Sequence, residues 1–209
     1  MNNITLLSAH TNMVAAGILP TAWHNNQLYF LFGKEQAWDE TLGFADFAGG
    51  QEKGESFEDT AAREGAEELT GFLGSPPEIR RLLQKPNKVY PIDMKNPNNP
   101  KHHYRTYVVP FEYNTDLPRF YNNNQRFLRE RLTPAFMKKT HIFEKEEIRW
   151  FAVNEITQPS VLAKFRPFYR EMVSLIYEQR EAIQETLYPH KKHNKTMKKR
   201  KGKRKGKTF

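Results

Sequence analysis

The chain has 209 residues and a mass of 24.6 kDa, with 38% hydrophobic, 13% aromatic and 27% charged residues. This length fits one domain with appendages or two small domains, and the composition excludes a fully disordered or collagen-like chain. Because the sequence contains no cysteine, it excludes disulfides, thiolate zinc sites and cysteine nucleophiles.

The N-terminal region carries no targeting pattern. Its apolar stretch, residues 13–19, is too short to span a bilayer, and it lacks the basic-then-apolar order of a secretory signal. We therefore expect an intracellular protein, in the cytoplasm or the nucleus, without a membrane partner.

The net charge of +9 is concentrated at one end of the chain. Residues 191–209 contain eleven of the 33 Lys and Arg residues and no Asp or Glu, which leaves 22 basic and 24 acidic residues elsewhere. This stretch also has almost no apolar residues to bury. The sequence therefore predicts a disordered basic tail over residues 189–209, after a single domain over residues 1–188. The tail fits an RNA tether, a nuclear or nucleolar address, or an inert solubilising segment, and the first two can coexist.

The first part of the domain alternates strands with a helix. His24, Asn25 and Asn26 are typical of a turn between two strands, and Ser56 is a suitable N-cap for a helix that Gly71 follows. The pattern predicts strands over residues 14–19, 27–32 and 43–48, and a helix over residues 57–69.

The second part is also mixed. Strands are predicted over residues 88–92, 104–111 and 147–153, and a last helix over residues 161–187, in which Pro167 marks a kink or the true start. Between them lies a polar insertion over residues 114–140, partly helical near residues 126–132. The order of elements indicates an α/β or α+β fold.

Three glutamates carry the clearest chemistry. Glu64, Glu67 and Glu68 stand at positions i, i+3 and i+4, so a helix projects them from one face. Three carboxylates on one face repel one another, which gives no advantage to a helix that is merely solvated. A divalent cation would neutralise their charge, and Mg²⁺ prefers carboxylate oxygens. Such a site suits hydrolysis of a phosphorus–oxygen bond.

The surrounding spacing resembles the signature of the Nudix hydrolases, G-x5-E-x7-R-E-U-x-E-E-x-G-U, where U is aliphatic. Gly49 is followed by Glu55, then by Arg63-Glu64 and Glu67-Glu68. The chain departs from the pattern in three places: an alanine at position 48 where many members have glycine, a glycine at position 65 in place of an aliphatic residue, and one extra residue before Gly71. No charged position of the signature is lost.

The resemblance implies a Nudix-type α/β/α sandwich with a mixed central sheet, and a Mg²⁺ or Mn²⁺ cofactor. By the same resemblance, the metal ligands are a backbone carbonyl and the glutamates of the signature, which is called the box below. An ion pair fixes the helix against the loop of Gly49 and Gly50, called the glycine loop below. The ligands implied are Glu64, Glu67, Glu68 and Ala48, and the ion pair is formed by Glu55 and Arg63.

Family members often place a further acidic residue before a late strand that bears a tryptophan. Glu147 is the choice for this additional ligand or base, and it joins Glu64 and Glu67 as a candidate catalytic residue, with Glu146 and Glu144 as rivals that spacing alone does not separate. Lys34 and Arg105 are the candidate substrate contacts.

These features predict a metal-dependent pyrophosphohydrolase that cleaves a diphosphate linkage in a nucleotide-containing substrate. The basic tail and the insertion favour the 5′ cap of RNA, as in decapping members of the family. The alternatives are a small-molecule hydrolase acting on ADP-ribose, dinucleoside polyphosphates or diphosphoinositol polyphosphates, and a non-catalytic RNA-binding protein with this fold. The intact glutamates argue against the last alternative.

Overall fold

A seven-stranded mixed sheet forms the centre of the computed structural model, which describes residues 14–95, 102–140 and 144–189. The strands of this described part are β1 (Val14–His24), β2 (Gln27–Glu35), β3 (Phe44–Ala45), β4 (Phe47–Gly50), β5 (Tyr90–Lys95), β6 (His103–Pro110) and β7 (Lys145–Ala152). Five of the six predicted strands are thereby confirmed with shifted ends, and the one predicted over residues 43–48 is instead two short strands, β3 and β4, which pair with different partners.

Strand β1 organises the sheet. Along one edge it pairs in parallel with β6, and along the other it pairs antiparallel first with β4 and then with β2. Strand β5 continues the sheet beyond β6, while β3 and β7 pair with β2. The turn between β1 and β2 uses Asn25 and Asn26 at φ of 46° and 62°, left-handed conformations that asparagine tolerates and that tight hairpins require.

Helices cover both faces of the sheet. Those of the described residues are α1 (Phe57–Glu68), α2 (Pro76–Leu83), α3 (Asp116–Arg131), α4 (Pro134–Thr140), α5 (Pro159–Leu162), α6 (Tyr169–Glu178) and α7 (Arg180–Leu187). One core cluster packs α1 and α2 against β1 and β6, and another packs α6 and α7 against the opposite face. The predicted α/β/α sandwich is therefore confirmed.

Helix α1 packs closely against β1. Its N-terminus has the predicted cap, with a reciprocal pair of hydrogen bonds between Ser56 and Asp59, and Gly71 follows its end at a φ of 81°. A Cβ placed on Gly65 would lie 2.8 Å from Cδ1 of Ile18. Glycine at this usually aliphatic position therefore makes room for the isoleucine of β1.

The helices of the second half differ from the prediction. Helix α2 was not predicted, and the insertion is almost wholly helical, as α3 and α4. The single last helix predicted over residues 161–187 is instead three short helices. The helix is interrupted because the backbone of Phe44 exchanges hydrogen bonds with the backbone of Lys164 and Arg166. These bonds form a bridge between this segment and β3 just before Pro167.

No helix of the described residues is long and apolar enough to cross a membrane. The tail predicted to be disordered, residues 189–209, lies outside the described residues except for position 189, and so do the first thirteen residues of the predicted domain. The domain bounds therefore remain a prediction.

Candidate active site

Arg63 ties helix α1 to the glycine loop that precedes it. Its Nε and Nη2 donate to the two carboxylate oxygens of Glu55, at 2.8 and 3.1 Å, and Nη2 also donates to the carbonyl of Gly50, at 3.0 Å. Its Nη1 donates to Oε1 of Glu64. The planar guanidinium thus fixes the loop and one box glutamate together.

This ion pair makes the loop sensitive to acid. The hydrogen bonds from Arg63 are the main cause that lowers the pKa of Glu55 from 4.5 to about 2. Because the folded-state pKa is the lower one, the pair stabilises the fold above pH 4.5, and this stabilisation is lost as the pH falls from 4.5 towards 2.

Three carboxylates meet at a pocket beside this loop. Oxygens of Glu64, Glu68 and Glu144 all lie within 4.8 Å of one another. Glu64 and Glu68 project from α1 and are buried, whereas Glu144 precedes β7 and is half-buried. The pocket has a volume of about 300 Å³, and its wall also includes Ala48 and Gly49.

A buried lysine holds one of these carboxylates. Nζ of Lys145 lies 2.8 Å from Oε1 of Glu68 and 2.5 Å from Oε1 of Glu35, and the lysine side chain is only 1% exposed. Burial disfavours its charge, but the two carboxylates outweigh this effect and raise the pKa of Lys145 above its ordinary value. The lysine therefore stays charged, and it links β7 to β2 and α1.

Arg166 extends the same network to the pocket wall. Its Nη1 donates to Glu35 at 2.7 Å, and its Nη2 donates to the hydroxyl of Thr41 at 2.8 Å and to Asp39 at 3.3 Å. The backbone bridge between residue 166 and Phe44 positions this arginine. A guanidinium held by carboxylates thus stands in the same pocket as the three glutamates.

The cluster has the properties of a divalent-cation site. Burial raises the pKa of Glu64 and raises that of Glu68 well above its ordinary value, so charge on these groups has to be compensated. Oε2 of Glu68 is buried and has no hydrogen-bond partner among the described residues. An all-oxygen donor set with an unsatisfied buried oxygen fits Mg²⁺ or Mn²⁺.

The structure brings together only some of the residues that the sequence singled out for metal binding. Glu64, Glu68 and Ala48 lie at the pocket. Glu67 is outside the three-carboxylate group of the described residues, about half exposed and 3.6 Å from Nη1 of Arg63. Glu147, which pairs with Lys34 along the strands, is also outside it, and Glu144 takes the place beside Glu64 and Glu68.

The two candidate substrate contacts point elsewhere. Within the described residues, neither Lys34 nor Arg105 lines the pocket. The Lys34 ammonium lies 3.2 Å from Glu146, and the Arg105 guanidinium makes two hydrogen bonds with Asp93, at 2.7 and 2.9 Å. The described cation that does reach the pocket is Arg166, which sequence reasoning missed because it lay inside the helix predicted there.

The chain matches one family of known proteins. A family model described as the NUDIX domain matches residues 11–176. No curated protein matches the chain.

Several solved structures are similar to the chain at low identity. The Nudix hydrolase RenU from M. smegmatis is 13% identical, covers 86% of this chain and 90% of its own, and has a TM-score of 0.46. A C. elegans Ap4A hydrolase in a binary complex is 14% identical, covers 81% and 96%, and has a TM-score of 0.44. A bifunctional NMN adenylyltransferase/ADP ribose pyrophosphatase from Francisella tularensis, complexed with AMP and a Mn ion, is 12% identical, covers 82% and 43%, and has a TM-score of 0.48. Identities of this size say nothing about the substrate of this chain.

The two glycines of the loop provide a matched test of the cation site. A Cβ on Gly49 would lie 2.1 Å from Oε1 of Glu64, whereas a Cβ on Gly50 would meet no described atom within 4 Å. We expect Gly49→Ala to displace Glu64 and weaken Mn²⁺ binding about 10- to 100-fold, as loss of a supporting contact does in metal sites. Gly50→Ala is expected to bind Mn²⁺ like the wild type. Calorimetric titration of both folded variants makes the comparison, and equal affinities would contradict the placement of Glu64.

Proposed function

The chain belongs to the Nudix family of pyrophosphohydrolases, and from that premise we propose that its pocket hydrolyses a diphosphate linkage in a nucleotide-containing substrate. One observation carries the proposal: oxygens of Glu64, Glu68 and Glu144 converge within 4.8 Å at a pocket large enough for part of a nucleotide. A scaffold used only for binding has no need to keep buried carboxylates so close together, because their repulsion costs stability.

Nudix enzymes generally use Mg²⁺ or Mn²⁺, and this chain's ion would be held by the three converging carboxylates. The Ala48 carbonyl and Glu67 are proposed as additional ligands on the family pattern. When bound, such an ion neutralises charge on the diphosphate and polarises a water nucleophile.

The protein's own residues have distinct tasks in this proposal. Arg63 keeps Glu64 and the glycine loop in register, and Lys145 keeps Glu68 in place. Glu144 is proposed as the further acidic group, acting as ligand or base, because it faces Glu64 and Glu68 whereas Glu147 pairs with β2.

Substrate recognition is assigned to two other residues that line the pocket. Arg166 stands where it can meet a phosphate, and Trp38, 37% exposed, lines the same pocket and offers a ring for a base. These groups suit one nucleotide with its diphosphate, and they fit capped RNA, ADP-ribose and dinucleoside polyphosphates equally. Diphosphoinositol polyphosphates lack a base for Trp38 to stack on.

A substrate panel tests the activity and ranks these classes. With Mg²⁺ or Mn²⁺, we expect hydrolysis of at least one of capped RNA, ADP-ribose, diadenosine polyphosphates and diphosphoinositol polyphosphates. Glu68→Gln keeps the size of the side chain but removes a charge, so it is expected to lower turnover by about 100-fold or more. Product analysis by chromatography measures both effects. Turnover by the folded Glu68→Gln variant at the wild-type rate would refute the assignment.

The basic tail is proposed as an RNA tether that is separable from catalysis, and as a nuclear address. Deleting residues 191–209 removes eleven cationic side chains and leaves every pocket residue in place. We expect hydrolysis of a small diphosphate to change little, while affinity for long RNA falls strongly and loses much of its salt dependence. Filter binding at two salt concentrations measures this. If the full chain and the truncated chain bind RNA with the same affinity at low salt, the tail has only a targeting or solubilising role.

A further inference from the structure

Helix α3 carries a row of exposed side chains that the proposed catalytic chemistry does not use. Phe120, Asn123, Asn124, Phe127 and Arg131 stand at positions i, i+3, i+4, i+7 and i+11, so they form one stripe along the helix. Phe120 is 59% exposed and Phe127 is 55% exposed. Two large apolar rings on one solvent-facing stripe are unusual for a surface helix and indicate a binding surface.

Each ring of this stripe has a guanidinium over its face. Cζ of Arg119 lies 4.5 Å from the centroid of Phe120, and Cζ of Arg131 lies 5.5 Å from that of Phe127. Asp116, one turn before Phe120 on the same side of α3, accepts hydrogen bonds from Arg119 at 3.1 and 3.2 Å. No acidic residue lies between the two rings, and the two asparagines there offer amide donors and acceptors. It thus combines aromatic faces, positive charge and amides.

The helix beneath the stripe is firmly attached. Asn122 exchanges two hydrogen bonds with the backbone of Ile148 in β7, at 2.8 and 3.2 Å. The hydroxyl of Tyr121, which is buried, lies 3.4 Å from the carbonyl of Glu68. The stripe is therefore a fixed platform on the helix that also packs against the end of α1 at the candidate active site.

We propose that this stripe of α3 binds single-stranded nucleic acid, with bases stacked on Phe120 and Phe127 and a phosphate beside Arg131. Aromatic faces interleaved with cations are the common device of such surfaces, and bases expose their faces only where they are not paired. The two rings are about 10 Å apart along the helix axis, which leaves space for bases between them. The inference does not depend on which diphosphate the pocket cleaves.

The charge of α3 favours a polyanion over a second copy of the chain. The helix carries four arginines against two acidic residues, Asp116 and Glu130, so a phosphate backbone matches its charge better than the same helix does. An acidic protein is the remaining competitor, and the experiment distinguishes it.

Oligonucleotide binding by the full chain tests the proposal. Fluorescence anisotropy with uridine and thymidine oligomers of about fifteen nucleotides is measured at about 0.3 M salt, where ionic contacts of the tail are strongly weakened. We expect the double variant Phe120→Ala/Phe127→Ala to bind at least about tenfold more weakly, because stacking on each ring is lost. Leu42→Ala, which removes an exposed apolar side chain of another segment (55% exposed), is the matched control and is expected to bind normally.

A crosslink locates the contact independently of affinity. An oligomer containing 5-iodouridine is irradiated with the wild-type protein, and the attached peptide is identified by mass spectrometry. We expect attachment within residues 116–131. Unchanged affinity of the double variant with crosslinks confined to residues 191–209 would overturn the proposal in favour of the tail. The proposal would be overturned in favour of a protein interface if the double variant kept its affinity for the oligomer but lost self-association or the binding of an acidic protein.

Discussion

The candidate site depends on a lysine that has no access to water. Lys145 lies between Glu35 and Glu68, and it is the point at which β7, β2 and α1 meet. Removing one partner of such a buried group costs about 3–5 kcal/mol, because it leaves an uncompensated charge. Through Glu35 the same network reaches Arg166, so Glu68 and Arg166, which both line the pocket, are held by one set of ion pairs. Charge thereby fixes positions inside the protein, and in the proposed function it also meets a cation and a phosphate at the pocket.

Local spacing was sufficient to predict the helix that carries the box and its ion pair. The positions of Glu55, Arg63, Glu64 and Glu68 follow from one loop and one capped helix, which short-range patterns describe well. The choice among Glu144, Glu146 and Glu147 could not be made in that way. The pairing of β2 with β7 shifts by one residue between Lys34 and Glu35, and a bulge of this kind reverses which side chains face the site. Arg166 was missed for a similar reason, since its place depends on a long-range bridge between its backbone and that of Phe44.

The insertion links the pocket to the surface. Helix α3 was predicted only as a partly helical polar segment, because its buried side is narrow and its other side chains are polar or exposed. Its buried side supports β7 at Ile148, next to the strand end that presents Glu144, while its exposed stripe holds two rings and their arginines. One helix thus supports the pocket through its buried side and carries the proposed nucleic-acid surface on its exposed side. In this arrangement, binding along α3 is separable from hydrolysis in the pocket.

Two glutamates at the start of β7 differ in their distance from the carboxylate cluster. Glu144 lies with Glu64 and Glu68, whereas Glu147 lies on β7 opposite Lys34. Mn²⁺ affinity, read from the electron paramagnetic resonance of the unbound ion, is measured for Glu144→Gln and Glu147→Gln in parallel. We expect a loss of about tenfold or more for Glu144→Gln and little change for Glu147→Gln. A loss for Glu147→Gln with normal affinity in Glu144→Gln would contradict the proposed metal centre.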